Sequence, residues 1–125
     1  MIFASQLTIP VNTTQDSEVS VAIKPTIGTI KNIKTFFPFG HAGLTHIRYT
    51  LNETQIHPVV NHTYLIGDDL LLDMDIGIKI DDNALQIKAK AWNEDSIYPH
   101  TIYFWIDIDT DVLTFTDFLD LVGEV

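Results

Sequence analysis

A period of two runs through this chain from its first residues to about residue 108, and no segment before residue 110 carries the 3.6-residue period of a helix of ordinary length. Val19, Val21 and Ile23 alternate with Glu18, Ser20, Ala22 and Lys24. Thr45, Ile47 and Tyr49 alternate with Leu44, His46 and Arg48. Leu85, Ile87, Ala89 and Ala91 alternate with Gln86, Lys88, Lys90 and Trp92. Tyr103, Trp105 and Asp107 alternate with Ile102, Phe104, Ile106 and Ile108. Successive side chains of a strand point to opposite faces, so each run reads as a strand with one buried face. Pro10, Pro25, Pro38-Phe39-Gly40 and Asn93-Glu94-Asp95-Ser96 punctuate the runs as turn chemistry does.

Eight strands are expected, over 2–9, 19–24, 30–37, 44–50, 55–57, 70–74 with a continuation toward Ile80, 85–92 and 102–108. Many short strands without helices mean a single β-sandwich or a barrel. Unequal loops around eight strands favour a jelly roll over an immunoglobulin-like sandwich. Residues 1–109 are expected to form this domain, and 110–125 a tail. In the tail, Thr116 or Asp117 can cap a short helix that stops at Gly123, with Phe118, Leu121 and Val122 at i, i+3, i+4 spacing. An extra strand, or an arm docking on a neighbouring subunit, fits the same residues.

Composition narrows the function classes. At 125 residues one domain is expected, and about two-thirds of the unfolded surface can be buried without staples. The absence of cysteine excludes disulfides, thiolate zinc sites and a cysteine nucleophile. A net charge of −10 with Arg48 as the sole arginine argues against nucleic-acid binding, which draws its affinity from cations on phosphates. The charge is lopsided. Residues 1–65 hold four cations against three acids, and residues 66–125 hold three against fourteen. That surplus can be a solvated face, a surface complementary to a basic partner, or one that collects divalent cations. The N-terminus lacks the pattern of a signal peptide and no apolar run is long enough to span a membrane, so a soluble chain with no membrane partner is expected.

Chemical motifs are sparse. His41, His46, His57, His62 and His100 stand in no metal-ligand or nucleophile spacing, so neither a metal nor another cofactor is expected. Asp107, Asp109 and Asp111 have the spacing that opens a calcium loop, but Val112 replaces its glycine and Phe118 its closing glutamate. On a strand the same acids share one solvent face. Asp73-Met74-Asp75 is a weaker version, and Gly67-Asp68-Asp69 reads as a turn. Asn12, Asn52 and Asn61 begin Asn-x-Thr triplets in expected loops. Trp92, Tyr98, Tyr103 and Trp105 can build a sugar-stacking platform or pack in the sheets.

Across roughly residues 7–108 the order of turn motifs resembles that of small all-β proteins of tailed viruses, found as virion or capsid-accessory proteins. The resemblance is carried by Asn12-Thr13-Thr14, Phe37-Pro38, Gly40-His41-Ala42-Gly43-Leu44, Ile56 and Pro58. It continues through Gly67-Asp68-Asp69, Ala91-Trp92-Asn93-Glu94-Asp95 and Tyr98-Pro99-His100-Thr101. It implies a structural role, and small jelly rolls can cap capsomers as trimers, so a non-enzymatic capsid decoration protein is expected, a homotrimer on the major capsid protein or another virion protein. Its place would be the capsid surface, after a period in the host cytoplasm. Closed symmetric oligomers also remove the exposed sheet edges a lone sandwich leaves. Phe36, Phe37 and Phe39, with Phe118 and Leu121 of the tail, are the candidate interface residues. The alternatives are a receptor- or carbohydrate-binding module of a tail, spike or fibre, and a metal-dependent enzyme of cupin type, whose converging histidines this sequence does not space.

Overall fold

The computed structural model describes residues 1–23, 27–81 and 85–110. Its strands are β1 (Ile2–Ile9), β2 (Val19–Ile23), β3 (Gly28–Phe37), β4 (Thr45–Leu51), β5 (Thr54–His57), β6 (Leu70–Ile80), β7 (Ile87–Asn93) and β8 (His100–Thr110). They form two four-stranded antiparallel sheets, β1-β8-β3-β6 and β2-β7-β4-β5. The pairs β1·β8, β2·β7, β3·β6 and β4·β5 are nested, as if one long hairpin with β4–β5 at its tip had been rolled into two layers. That is the jelly-roll arrangement of a β-sandwich.

The alternation decides which side of each strand is buried. Ile102, Phe104, Ile106 and Ile108 of β8 point inward with Leu7, Ile9, Ile30, Ile33 and Phe37 of their own sheet. They meet Ile47, Tyr49, Ile87, Ala89 and Ala91 of the opposite sheet. Each buried Ile or Phe contributes roughly 1.5–3 kcal/mol over leaving it exposed. Within this layer the hydroxyls of Thr35 and Tyr49 hydrogen-bond at 2.7 Å, a polar tie from β3 to β4 across the sandwich. Burial pushes the Tyr49 phenol pKa well up, so it stays neutral.

The alternation of β3 is interrupted once with structural effect. A register shift between Ile30 and Asn32 inserts Lys31 as a β-bulge. Strict alternation would send Ile33 outward. The bulge restores it to the core and leaves Asn32 on the outer face, between Asp107 of β8 and Asp75 of β6. Opposite it, Gly77 adopts φ +74°, a left-handed conformation that favours glycine.

The strands depart slightly from the sequence expectations. β3 starts at Gly28, β7 starts at Ile87, and β8 covers His100–Thr110 against an expected 102–108, while β6 continues to Ile80 as expected. A 3-10 turn, Gln15–Ser17, interrupts the first long loop. The expected tail helix, with Phe118 and Leu121, lies outside the described residues. Among the described residues no helix is long and apolar enough to cross a membrane.

Candidate functional site

Nesting of the hairpins places the loops 10–18, 38–44, 58–69 and 94–99 at one end of the sandwich. Their backbones are tied together. Asn12 N donates to Asp95 O at 3.0 Å, Thr13 N to Asn93 O at 3.0 Å, and Glu94 N to Leu44 O at 2.9 Å. Gly40 N donates to Asp68 Oδ1 at 2.8 Å. The amides of Ala42, then Gly40 and His41, hold the Asp68 carboxyl below the usual range. This is the work done by the Gly67-Asp68-Asp69 turn.

Beneath these loops two histidines and an aspartate meet. His100 Nε2 lies 2.8 Å from Asp95 Oδ2, with both side chains almost buried. Asp95 Oδ1 accepts from Ile97 N at 2.8 Å and Tyr98 N at 3.2 Å. The Ile97 amide and His100 keep that carboxyl ionised to lower pH than usual. The His41 ring lies 4.4 Å from that of His100. Its Nε2 faces Thr101 O at 3.1 Å, which can only accept, so Nε2 carries the proton. Nδ1 then accepts from the Thr45 hydroxyl. Burial, and secondly His100, lower the His41 pKa. Both ring nitrogens of His41 are thus committed to loop contacts, and the cluster fastens loops rather than presenting a base. Sequence spacing gave no sign of it, because His41 lies on loop 38–44, far in sequence from Asp95 on loop 94–99 and His100 at the start of β8.

Above this fastening the loop end is apolar. Phe39 is 84% exposed, and Ile66, Ile97 and Tyr98 are also exposed. The candidate interface residues therefore divide. Phe39 stands free at the loop end. Phe36 is half-buried on the outer face of the first sheet, its ring 6.5 Å from Tyr103. Phe37 is a correction: it faces inward, fully buried, with its ring edge-on to His41 at 5.8 Å, so it belongs to the core. Alternation from Thr35 to Phe37 requires this division, since neighbours on a strand face opposite ways.

The two outer sheet faces differ. On the second sheet, loop 58–65 lies over the aromatic side chains. The Gln55 side-chain amide anchors it: Nε2 donates to the carbonyls of Pro58, Val60 and Thr63 at 2.8–3.0 Å. Leu65 exchanges backbone hydrogen bonds with Ile47. Tyr64 thereby sits edge-on to His46 and Trp92, which stack on each other at 3.8 Å. Arg48 lies 5.8 Å from the Tyr64 ring centre and binds both oxygens of Glu18, at 2.9 and 2.7 Å. Burial raises the Glu18 pKa, but Arg48 outweighs it and the net shift is downward.

On the first sheet the outer side chains form three open rows across β1, β8, β3 and β6. They are Ile2–Asp107–Asn32–Asp75, Ala4–Trp105–Lys34–Asp73 and Gln6–Tyr103–Phe36–Leu71. Depressions of about 420 Å³ and twice about 380 Å³ lie along them, and Trp105 lines all three. Asn32 Nδ2 donates to Asp73 Oδ1, and to Asp75 Oδ1 at 3.1 Å. The terminal ammonium of Met1 is 3.6 Å from Asp107. Asp107 and Asp109 both lie on β8 with outward side chains, whereas Asp111 lies outside the described residues. Among the described residues, no group of three or more His, Asp or Glu is placed to hold a metal ion. Of the four aromatics singled out as a sugar platform, Tyr103 and Trp105 share this face. Trp92 is under the loop on the other sheet, and Tyr98 is at the loop end.

The acidic surplus is likewise divided. Asp73, Asp75 and Asp107 line the open face, while Asp68 and Asp95 are spent on loop amides. The Asn-x-Thr asparagines sit in turns: Asn12 and Asn52 adopt φ +55° and +53°, a conformation asparagine tolerates. Asn52 Oδ1 also accepts from Gln86 N at 2.9 Å. No protein-family model matches the chain, and no curated protein is detectably similar to it.

Proposed function

We propose that this jelly roll is a non-enzymatic structural component of a virus particle, seated on a larger protein body through its apolar loop end. Capsid decoration as a trimer is the specific form, in line with the order of turn motifs noted above. The observation that carries the reading is the combination at that end. Phe39, Ile66, Ile97 and Tyr98 are exposed on loops that are bonded to one another. Apolar residues on mobile loops lose entropy on docking; residues on loops already fastened lose less. Exposed apolar patches on a small domain are characteristic of protein interaction sites.

Mass spectrometry of purified particles tests the particle claim. A copy number in the hundreds supports decoration, a dozen or fewer places the protein at a vertex or tail, and absence sinks the reading. Light scattering of the isolated protein reports whether it is a trimer in solution. Phe39→Ser is expected to abolish incorporation while leaving the circular dichroism spectrum and Tm unchanged, because Phe39 contributes little to the core. The receptor- or carbohydrate-binding alternative draws on a different surface, the open face of the first sheet.

A further inference from the structure

We propose that the outer face of the β1-β8-β3-β6 sheet is a binding site for a neutral oligosaccharide, with Trp105 as its central stacking residue. The inference deepens the carbohydrate-binding alternative and does not depend on docking through the loop end.

A sugar ring has two chemistries. Its C–H face is apolar and packs on an aromatic ring, and its rim of hydroxyls both donates and accepts. The open face offers both in adjacent rows. Trp105 and Tyr103 are 36% and 37% exposed although they are in mid-strand, and Phe36 lies beside Tyr103. Asp73 ends the row of Trp105, and Asp75 and Asp107 stand one row away. Trp105 links the rows, because it lines the polar depression of about 420 Å³ and both depressions of about 380 Å³. These volumes fall within the range of small-ligand sites. Four strands at about 4.8 Å spacing make the strip roughly 14 Å wide, which suits a short chain of sugars better than a single one.

The charge pattern selects the occupant. Asn32 uses one acceptor position on each of Asp73 and Asp75, and the Met1 ammonium lies beside Asp107. A carboxylate offers about four such positions, so hydroxyl donors can fill the rest without a new charge. Lys34, between Trp105 and Asp73, supplies a donor for a ring or hydroxyl oxygen. A second copy of the chain fits poorly. Among the described residues of these rows Lys34 is the only side-chain cation against three carboxylates, and symmetric docking would bury the surplus acids against each other. Anionic sugars meet the same acids and are repelled.

The test uses the full chain on an array of neutral, sialylated, uronate-containing and sulfated glycans, followed by titration of the strongest neutral oligosaccharide by NMR. Neutral oligosaccharides are expected to bind and anionic ones not. Trp105→Ala, and separately Asp73→Asn with Asp75→Asn, are expected to weaken binding at least tenfold. Ser20→Ala on the opposite sheet leaves it unchanged, and all variants are checked for wild-type Tm. Three results overturn the proposal. The first is no neutral glycan bound. The second is binding that Trp105→Ala leaves intact. The third is a face engaged instead by an arginine-rich peptide or by self-association that Trp105→Ala abolishes in sedimentation. Each leaves particle incorporation, read by mass spectrometry, unaffected.

Discussion

On the second sheet, Trp92, His46 and Arg48 lie beneath Tyr64 and the loop that carries it; on the first, Trp105, Tyr103 and Phe36 lie in the open. The side chains are of the same kinds, and the strands that carry them pair in the same nested way. What differs is whether the chain spends a loop on them. Covering Trp92 leaves its Nε1 buried without a hydrogen-bond partner among the described residues. An unmade buried hydrogen bond is costly, so this cover is tolerated for the packing it brings. No described loop is laid over Trp105. An aromatic row that the fold leaves uncovered, beside acids already held by Asn32, is free for contact with something other than the chain's own core.

The largest test of this contrast is truncation on the covered side. Trp92→Ala removes a ring stacked on His46 and capped by Tyr64, and is expected to cost about 3 kcal/mol in urea denaturation. Trp92→Phe keeps a ring and removes the unpaired N–H, so a much smaller loss is expected. Equal losses for the two would mean that the N–H, not the ring, sets the stability of the covered face.

Arg48→Met comes next. Arg48 and Glu18 have side chains only 15% and 13% exposed, so removing the guanidinium leaves a nearly buried carboxylate unpaired. The expected cost is about 3 kcal/mol, at the low end for buried pairs because some water reaches both groups. Double replacement with Glu18→Leu is expected to recover part of it. A loss below about 1 kcal/mol for Arg48→Met would show that the pair behaves as a surface salt bridge.

Gln55→Ala releases the cover itself. Three carbonyls lose their donor, and Gln55 Oε1 no longer accepts from His62 N at 3.1 Å or from Arg48 at 3.2 Å. The expected cost is about 2 kcal/mol, with faster amide exchange confined to residues 58–65. Exchange unchanged in that loop would show that Tyr64 packing alone holds it.

The difference between the faces was only partly legible in the sequence. Alternation is local, so it found the eight strands and assigned Tyr103 and Trp105 to the side opposite Ile102, Phe104 and Ile106. It could not show that Trp92 would be covered and Trp105 left open, because the cover comes from a loop far away in sequence. Arg48, the sole arginine, was visible as a residue, but its partner Glu18 is thirty positions earlier and meets it only through β7. Gln55 carried no signal, since its role is written in backbone carbonyls. The bulge at Lys31 is equally silent in a pattern of two, yet it sets Asn32 between its acids.

Mild acid probes the cover from another side. Burial lowers the pKa of His57, which ends β5 and leads into the covering loop; burial and then His100 lower that of His41. Both rings favour the neutral form in the fold, so below the ordinary histidine value of about 6.5 the unfolded chain takes up protons more readily. The contribution is complete above pH 6.5 and is lost as pH falls below it. The denaturation midpoint is expected to drop between pH 7.5 and pH 5, and His57→Gln to flatten that slope. The lowered carboxylates Glu18, Asp68 and Asp95 add their losses only nearer pH 4 and below. A midpoint that rises on acidification to pH 5 would contradict the assignment.

The smallest effect is expected where the contrast predicts least coupling to folding. Trp105 sits in mid-strand on β8, but its neighbours across the sheet, Ala4 and Lys34, are themselves exposed. Trp105→Ala therefore opens no cavity and strands no buried polar group, and a loss under about 1 kcal/mol is expected, against about 3 kcal/mol for the same change at Trp92. Stability and binding are then separable on the two sheets: one tryptophan holds the fold, and the other can be removed to read out a ligand. If Trp105→Ala destabilises as much as Trp92→Ala, the first sheet is covered in solution, and its aromatic row belongs to folding or assembly rather than to recognition.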